Sequence, residues 1–163
     1  MIEENLSIRL ATVDDMPEVM RLAITACEEN GFLDASAELL AREIWPALNC
    51  DHGLCAVIGP EGTNDIEGLV LIRIGAMWYS KSIVAEERAI FVYPQFRAAK
   101  GGRARKLCEY SKHVADTLKI PLLIGVLSGT RTAGKCKMYQ RLFGEPKGMF
   151  FLYGAETTGH SVS

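Results

Sequence analysis

The stretch Phe91-Val-Tyr-Pro-Gln-Phe-Arg-Ala-Ala-Lys-Gly-Gly-Arg-Ala-Arg-Lys-Leu107 decides how the chain is read. An apolar run ends at Pro94, a loop carries Arg97 and Lys100, and the pair Gly101-Gly102 opens an amphipathic helix with Arg103 on its first turn. The first amides of a helix have no partners within it, and the aligned peptide dipoles favour negative charge there. Glycine lets the backbone approach a ligand with no Cβ in the way. Arg97, Lys100, Arg103 and Arg105 put positive charge where Asp or Glu is the usual choice, a cost to stability unless an anion offsets it. The pattern reads as an anion cradle, with phosphate the simplest ligand. A solvated basic first turn is the alternative for a bare glycine pair among arginines.

Working outward from this stretch, residues 7–11 form a first strand, followed by Thr12-Val-Asp-Asp15, a capping box with Thr12 as N-cap. Met16, Val19, Met20, Ala23 and Cys27 then recur at helical spacing until Asn30-Gly31 supplies the stop. A second helix covers residues 37–48, and Pro46 either bends it or ends it early. Residues 54–59 and 66–75 read as two strands of a hairpin around Pro60-Glu-Gly-Thr-Asn-Asp65, with Leu69 and Leu71 opposed to Val70 and Ile72. A strand over 83–93 leads into the quoted stretch. After the helix over 102–119 come an apolar strand over 121–127, a helix over 134–143 and a last strand over 148–153. The order β-α-α-β-β-β-α-β-α-β describes an α/β chain whose antiparallel front half passes into a strand–helix–strand unit. One domain over residues 1–154 and a polar tail over 155–163 are expected.

Composition narrows the function. A formal charge of −2 over 163 residues argues against general electrostatic binding to nucleic acid or to an anionic membrane. No apolar run approaches the roughly 20 residues that span a bilayer. Met1-Ile-Glu-Glu-Asn lacks the basic and apolar stretches of a secretory leader, so five reduced cysteines and a cytoplasmic location are expected. Cys50-Asp-His52-Gly-Leu-Cys55 lacks a fourth ligand at compatible spacing, and no metal site is assigned.

Val92-x-Pro94-x-x-Arg97, followed by the glycine loop and an amphipathic helix, resembles the acetyl-CoA-binding motif of the GCN5-related N-acetyltransferases. The family's Arg/Gln-x-x-Gly-x-Gly/Ala is matched by Arg97-Ala-Ala-Lys100-Gly101-Gly102 at its first and last positions, with Lys100 where the first glycine is expected. The resemblance extends over nearly the whole chain. It implies a mixed, mainly antiparallel sheet of six to seven strands with about four helices, splayed between strands 4 and 5. It implies that acetyl-CoA is held by Arg97, Lys100, Gly101, Gly102, Arg103 and Ala104 at its pyrophosphate. Along its pantetheine the backbone of Phe91, Val92 and Tyr93 is implied. The reaction implied is acetylation of a primary amine, on a small molecule or a protein, with a homodimer left open.

Such a transfer needs a base for the amine and an acid for the departing thiolate. Tyr139, in Lys137-Met-Tyr-Gln-Arg-Leu-Phe-Gly144, resembles the family's tyrosine acid, although the glycine comes one residue late. Glu86 and Glu87 stand where the family often places a glutamate base. Strand alternation sends them to opposite faces, so one at most lines a cleft, and Glu87 is preferred. His113 falls on a polar helix side, and His52 and His160 have no constellation around them. The family's asparagine after strand 5 is absent, leaving Ser128, Thr130 or Lys135 as substitutes for its CoA contact.

Two other readings remain open. One is a GNAT-fold protein that binds acyl-CoA or a partner without catalysis. The other is a nucleotide-binding loop, because Gly129-Thr-Arg-Thr-Ala-Gly134-Lys135-Cys136 fits G-x-x-x-x-G-K. Cys136 replaces the hydroxyl that would hold magnesium, and a soft thiol is a poor ligand for a hard ion.

Overall fold

The alternation in β3 (Gly68–Ala76) organises the molecule. The computed structural model, which describes residues 5–97, 101–128 and 131–155, puts Leu69 and Leu71 into one core and Val70 and Ile72 into another. Period-two alternation in a strand covered on both faces must build two cores. Strands β1 (Leu6–Leu10), β2 (Gly53–Pro60), β3 and β4 (Ile83–Val92) pair antiparallel in chain order, and β5 (Leu122–Leu123) adds to β4 in parallel.

On one face lie α1 (Met16–Asn30) and α2 (Ala37–Leu48), which bury Val19, Leu22 and Ile44 against Val57, Leu69 and Phe91. On the other lies α4 (Arg103–Leu118), whose Leu107 packs with Ile58, Val70 and Ile72. Each such side chain contributes about 1.5–3 kcal/mol by leaving water.

Local chemistry fixes the ends. Thr12 N donates to Asp15 Oδ2 at 2.9 Å, and Arg9 Nη1 pairs with the same carboxylate at 2.7 Å, tying the first strand to the turn that starts α1. Gly31 ends α1 in the left-handed region at φ 66°, its N–H donating to Cys27 O at 3.0 Å. Pro46 does not end α2 early. The helix runs on to Leu48, and the freed turn is closed by Asn49 N and Asp51 N donating to Pro46 O.

The second half departs from the sequence expectation in three places. The strand expected over 121–127 pairs over two residues only, Ala85 with Leu122 and Glu86 with Leu123. The cause is a β-bulge in β4. Leu71 faces Ala89 and Ile72 faces Glu87, so Arg88 is the extra residue and the strand bends away just beyond the last pair. The last strand, expected over 148–153, has no sheet partner. Phe150, Phe151 and Tyr153 are 94%, 88% and 101% exposed, because aromatic β-propensity is realised only against a neighbouring ladder. A short α3 (Pro94–Arg97) also precedes the glycines. Among the described residues the sheet therefore has five strands rather than six or seven, with five helices including α5 (Thr132–Phe143) rather than four. Residues 156–163, most of the expected tail, lie outside the described residues. No helix among the described residues is long and apolar enough to cross a membrane.

Candidate active site

The bulge opens a cleft. Beyond Glu86 no strand among the described residues pairs with this edge of β4, and a cavity of about 910 Å³ lies between β4, the chain from Leu123 to Ser128, and α5. Glu87, Lys135 and Tyr139 all line it.

Alternation sends the two glutamates to opposite faces of β4, but both line the cavity, which reaches both faces at this edge, so the expectation that one at most would do so does not hold. Glu86 pairs with Arg73 at 3.4 Å and Arg88 at 3.2 Å, and Arg88 in turn reaches Glu43 of α2 at 3.1 Å. Glu87 points to the other face. Its carboxylate accepts a long hydrogen bond, 3.5 Å, from Gly125 N. Burial pushes its carboxyl up to about 7, against the weaker downward pull of the Gly125 amide and the Lys135 charge.

Tyr139 stacks edge-on with Phe143, centroids 5.8 Å apart, and its phenol lies near the buried Cys108 thiol. Burial and the nearby Glu87 carboxylate push the phenol well above its ordinary range, so it stays protonated. Burial likewise raises the Cys108 thiol to about 12, so that residue is not a nucleophile at neutral pH. Lys135 is held below the ordinary lysine range by burial first and by the Arg97 charge second, with Glu29 and Glu87 acting in the opposite sense.

The glycine pair sits at the start of α4, as read from the sequence. Gly101 and Gly102 have φ of 118° and 57°, conformations that strain any side chain, and a Cβ on Gly101 would lie 2.6 Å from Leu6 Cδ1. No side chain caps the helix at Gly102, and its intrahelical ladder starts with Lys106 N to Gly102 O at 2.9 Å. Ala104 and Arg105 follow in the first turn, where an anion is favoured. Lys100 lies outside the described residues.

Three of the expected cationic side chains have internal partners, and one of them, Arg105, reaches Glu109 a turn along α4 at 3.5 Å. Arg103 is buried, with Nε on Glu67 Oε2 and its guanidinium over the Phe96 ring at 5.3 Å. Arg97 binds Glu29 at 2.7 Å, lies over the Phe91 ring at 5.0 Å, and donates Nε–H to Val92 O at 2.9 Å. Of the three expected backbone contacts, Val92 turns its carbonyl away from β3. Tyr93 N–H is turned toward β3, donating to Glu67 O at 3.0 Å, while its hydroxyl donates to Glu18 at 2.9 Å. Phe91 contributes its ring to the core beneath α1.

Elsewhere, Cys55 is a core residue while Cys50 is exposed. The His52 imidazole lies 3.4 Å from the exposed Asp51 carboxylate, and His113 is exposed on α4. His160, Gly129 and Thr130 lie outside the described residues. Ser128 lines the cleft. Gly134 and Lys135 of the G-x-x-x-x-G-K run are inside α5, and the lysine is turned to the cleft with Glu87. Sequence reading missed the proximity of Cys108 to Tyr139 and the convergence of Lys135 with Glu87 and Tyr139 on one cavity. The four-residue spacing of Lys135 and Tyr139, which places both on one helix face, was the available signal.

No family model matches the sequence, and no curated protein matches it. Solved structures do. A probable acetyltransferase superposes with TM-score 0.69 at 16% identity, covering 90% of this chain and 95% of its own. AAC(6')-Iy in complex with a CoA-S-monomethyl-acetylneamine bisubstrate analogue gives 0.68 at 19% identity, with 91% and 97% covered. This is the fold of the GCN5-related N-acetyltransferases. Ribosomal-protein-alanine N-acetyltransferase from Brucella melitensis biovar Abortus 2308 adds 0.66 at 15% identity, over 91% and 97%. The shared fold covers the chain nearly end to end.

Proposed function

We propose that the chain is an N-acetyltransferase that moves an acetyl group from acetyl-CoA to a primary amine. The observation that carries this is the cleft beside the bulged β4, where a carboxyl raised to about 7 and a protonated tyrosine face the same space. Glu87 takes the proton of the incoming ammonium group, directly or through water, since a base with pKa near the working pH is the most effective. Tyr139 gives its proton to the departing sulfur. Acetyl-CoA supplies the activated acetyl thioester.

The residues present fit that cosubstrate. Gly101, Gly102 and Ala104 offer a helix start with no side-chain cap for a pyrophosphate, and Val92 a carbonyl with a second lone pair for an amide chain, the first being taken by Arg97 Nε–H. Arg97 and Arg103 add less charge than their number suggests, because Glu29 and Glu67 already offset them. The solved complex of AAC(6')-Iy with a CoA analogue supports the donor. The acceptor is proposed as an amine on a small molecule or a protein, in the cytoplasm.

Calorimetric titration with acetyl-CoA, and with Mg-ATP in parallel, tests the reading. Saturable binding of acetyl-CoA that Gly102→Glu abolishes is the expected result. Binding of Mg-ATP alone would return the site to the Gly129–Cys136 run. Binding of acetyl-CoA with no CoA release on any amine would favour a non-catalytic acyl-CoA binder.

A further inference from the structure

The cleft contains an amine of its own. Lys135 is half-buried on the wall that carries Tyr139, one helical turn earlier on α5. It faces the space into which Glu87 projects from β4. By contrast Lys81, Lys112 and Lys119 are exposed on outer surfaces. Lys135 has no ion pair within 4.0 Å among the described residues, so its ammonium is not held by a carboxylate contact. Its charge is felt by Glu87, whose carboxylate it helps to stabilise.

We propose that Lys135 is a self-acetylation site: when no amine substrate fills the cleft, its Nζ takes the acetyl group from acetyl-CoA. This rests on the acetyltransferase reading above. Lys135 Nζ–H₃⁺ first loses a proton to Glu87. The neutral amine attacks the thioester carbonyl and the C–N bond forms, the adduct nitrogen gives its extra proton to water, and the C–S bond breaks. The thiolate then takes the Tyr139 proton, and the proton held by Glu87 restores the phenol through water. One acetyl-CoA and one lysine ammonium give one acetyl-lysine, one CoA thiol and one proton. The depressed basicity of Lys135 favours the first step, because more of the amine is neutral near pH 7 than for an exposed lysine.

The product changes the site that made it. Glu87 is faced by Glu86 on its own strand, the Gly125 amide beside β5, Cys108 of α4, and Lys135 and Tyr139 of α5. Lys135 itself also feels Glu29, Arg97 and Arg131. Acetylation removes the cation that favours the Glu87 carboxylate, so the carboxyl rises further above about 7 and is less ionised at neutral pH. A base that acts as carboxylate then needs a higher pH. Self-acetylation therefore slows the enzyme when acetyl-CoA is plentiful and acceptor is scarce.

The test is to incubate the full chain with acetyl-CoA alone and map acetyl-lysine by peptide mass spectrometry, with calorimetry run on the same preparation. Acetylation at Lys135 at least tenfold faster than at Lys81, Lys112 or Lys119, and slowed in Tyr139→Phe, is expected. Lys135→Gln, which mimics the acetylated state, should move the acidic limb of the kcat/KM profile to higher pH, while Lys135→Arg leaves it in place. Acetyl-CoA binding and amine turnover with Lys135 unmodified, or modified no faster than the exposed lysines, would overturn this inference alone. Absence of acetyl-CoA binding would overturn both it and the reading beneath it.

Discussion

α4 and α5 are amphipathic helices that approach one another at Cys108 and Tyr139, yet they are held in very different ways. α4 buries Arg103, Leu107, Cys108, Ser111, Val114 and Ala115, whereas α5 buries no residue completely. One is part of the core and the other is laid over it. The difference separates two jobs. α4 fixes the glycine turn against β2, β3 and β4, and α5 brings Lys135 and Tyr139 to a cleft they help to wall. Chemistry on a lightly held helix is cheap to alter without unfolding the protein, and structure on a buried helix is not.

The contrast breaks most sharply at Tyr139. Tyr139→Phe keeps the ring, its packing on Phe143 and the shape of the cleft, and removes only the proton. Turnover should fall about 10²- to 10⁴-fold, the usual range for a lost general acid, with the thermal midpoint unchanged. Steady-state kinetics beside a melting curve reads both. A lowered midpoint with intact turnover would make α5 the structural helix and remove Tyr139 from the mechanism.

The next effect is its mirror image. Leu107 of α4 is 0% exposed and packs between Ile58, Val70 and Ile72. Leu107→Ala should cost about 2–5 kcal/mol, the lost transfer energy plus a cavity that cannot collapse against a sheet. Lys137→Ala on exposed α5 should change stability by less than about 0.5 kcal/mol. Urea unfolding of the two variants against the parent reads the difference. Equal losses would mean that α5 is embedded after all.

The same asymmetry sets what the sequence could reveal. Where local signals and burial agree, boundaries were legible. The helix read over 37–48 is α2, and the helix read over 102–119 is α4 with one residue trimmed at each end. The alternation of Leu69 and Leu71 against Val70 and Ile72, legible in the sequence, divides these residues between the two cores. Where structure depends on a distant partner, local signals failed. Residues 121–127 and 148–153 are apolar enough for strands, but the first makes two pairs beside the bulge at Arg88 and the second finds no ladder among the described residues.

The site divides likewise. The glycine turn was legible because positive φ leaves a mark in residue type. The separation of Glu86 from Glu87 followed from strand geometry. The ion pairs of Arg103 with Glu67 and Arg97 with Glu29 were not, since they join residues 36 and 68 positions apart. The elevated Glu87 carboxyl needed the burial supplied by β5 and α5, which no spacing in the sequence encodes.

The smallest effect asks what burial on α4 consists of. Ser111 is as buried as Leu107, and its Oγ donates to Leu107 O at 2.9 Å. That carbonyl also lies four residues back, in position to accept the Ser111 backbone N–H of the helix ladder. Ser111→Ala therefore removes one donor without orphaning an acceptor, and alanine is the better helix former. The lost hydroxyl is worth about 1 kcal/mol at most, and the gain in propensity returns up to about half of it. Stability should stay within about 0.5 kcal/mol of the parent in urea unfolding, although the position is buried. It is then apolar volume rather than burial as such that anchors α4 and is missing from α5. A loss near that of Leu107→Ala would mean that the Ser111 hydroxyl holds a second buried partner, and that α4 is fixed to the sheet by polar contacts as well.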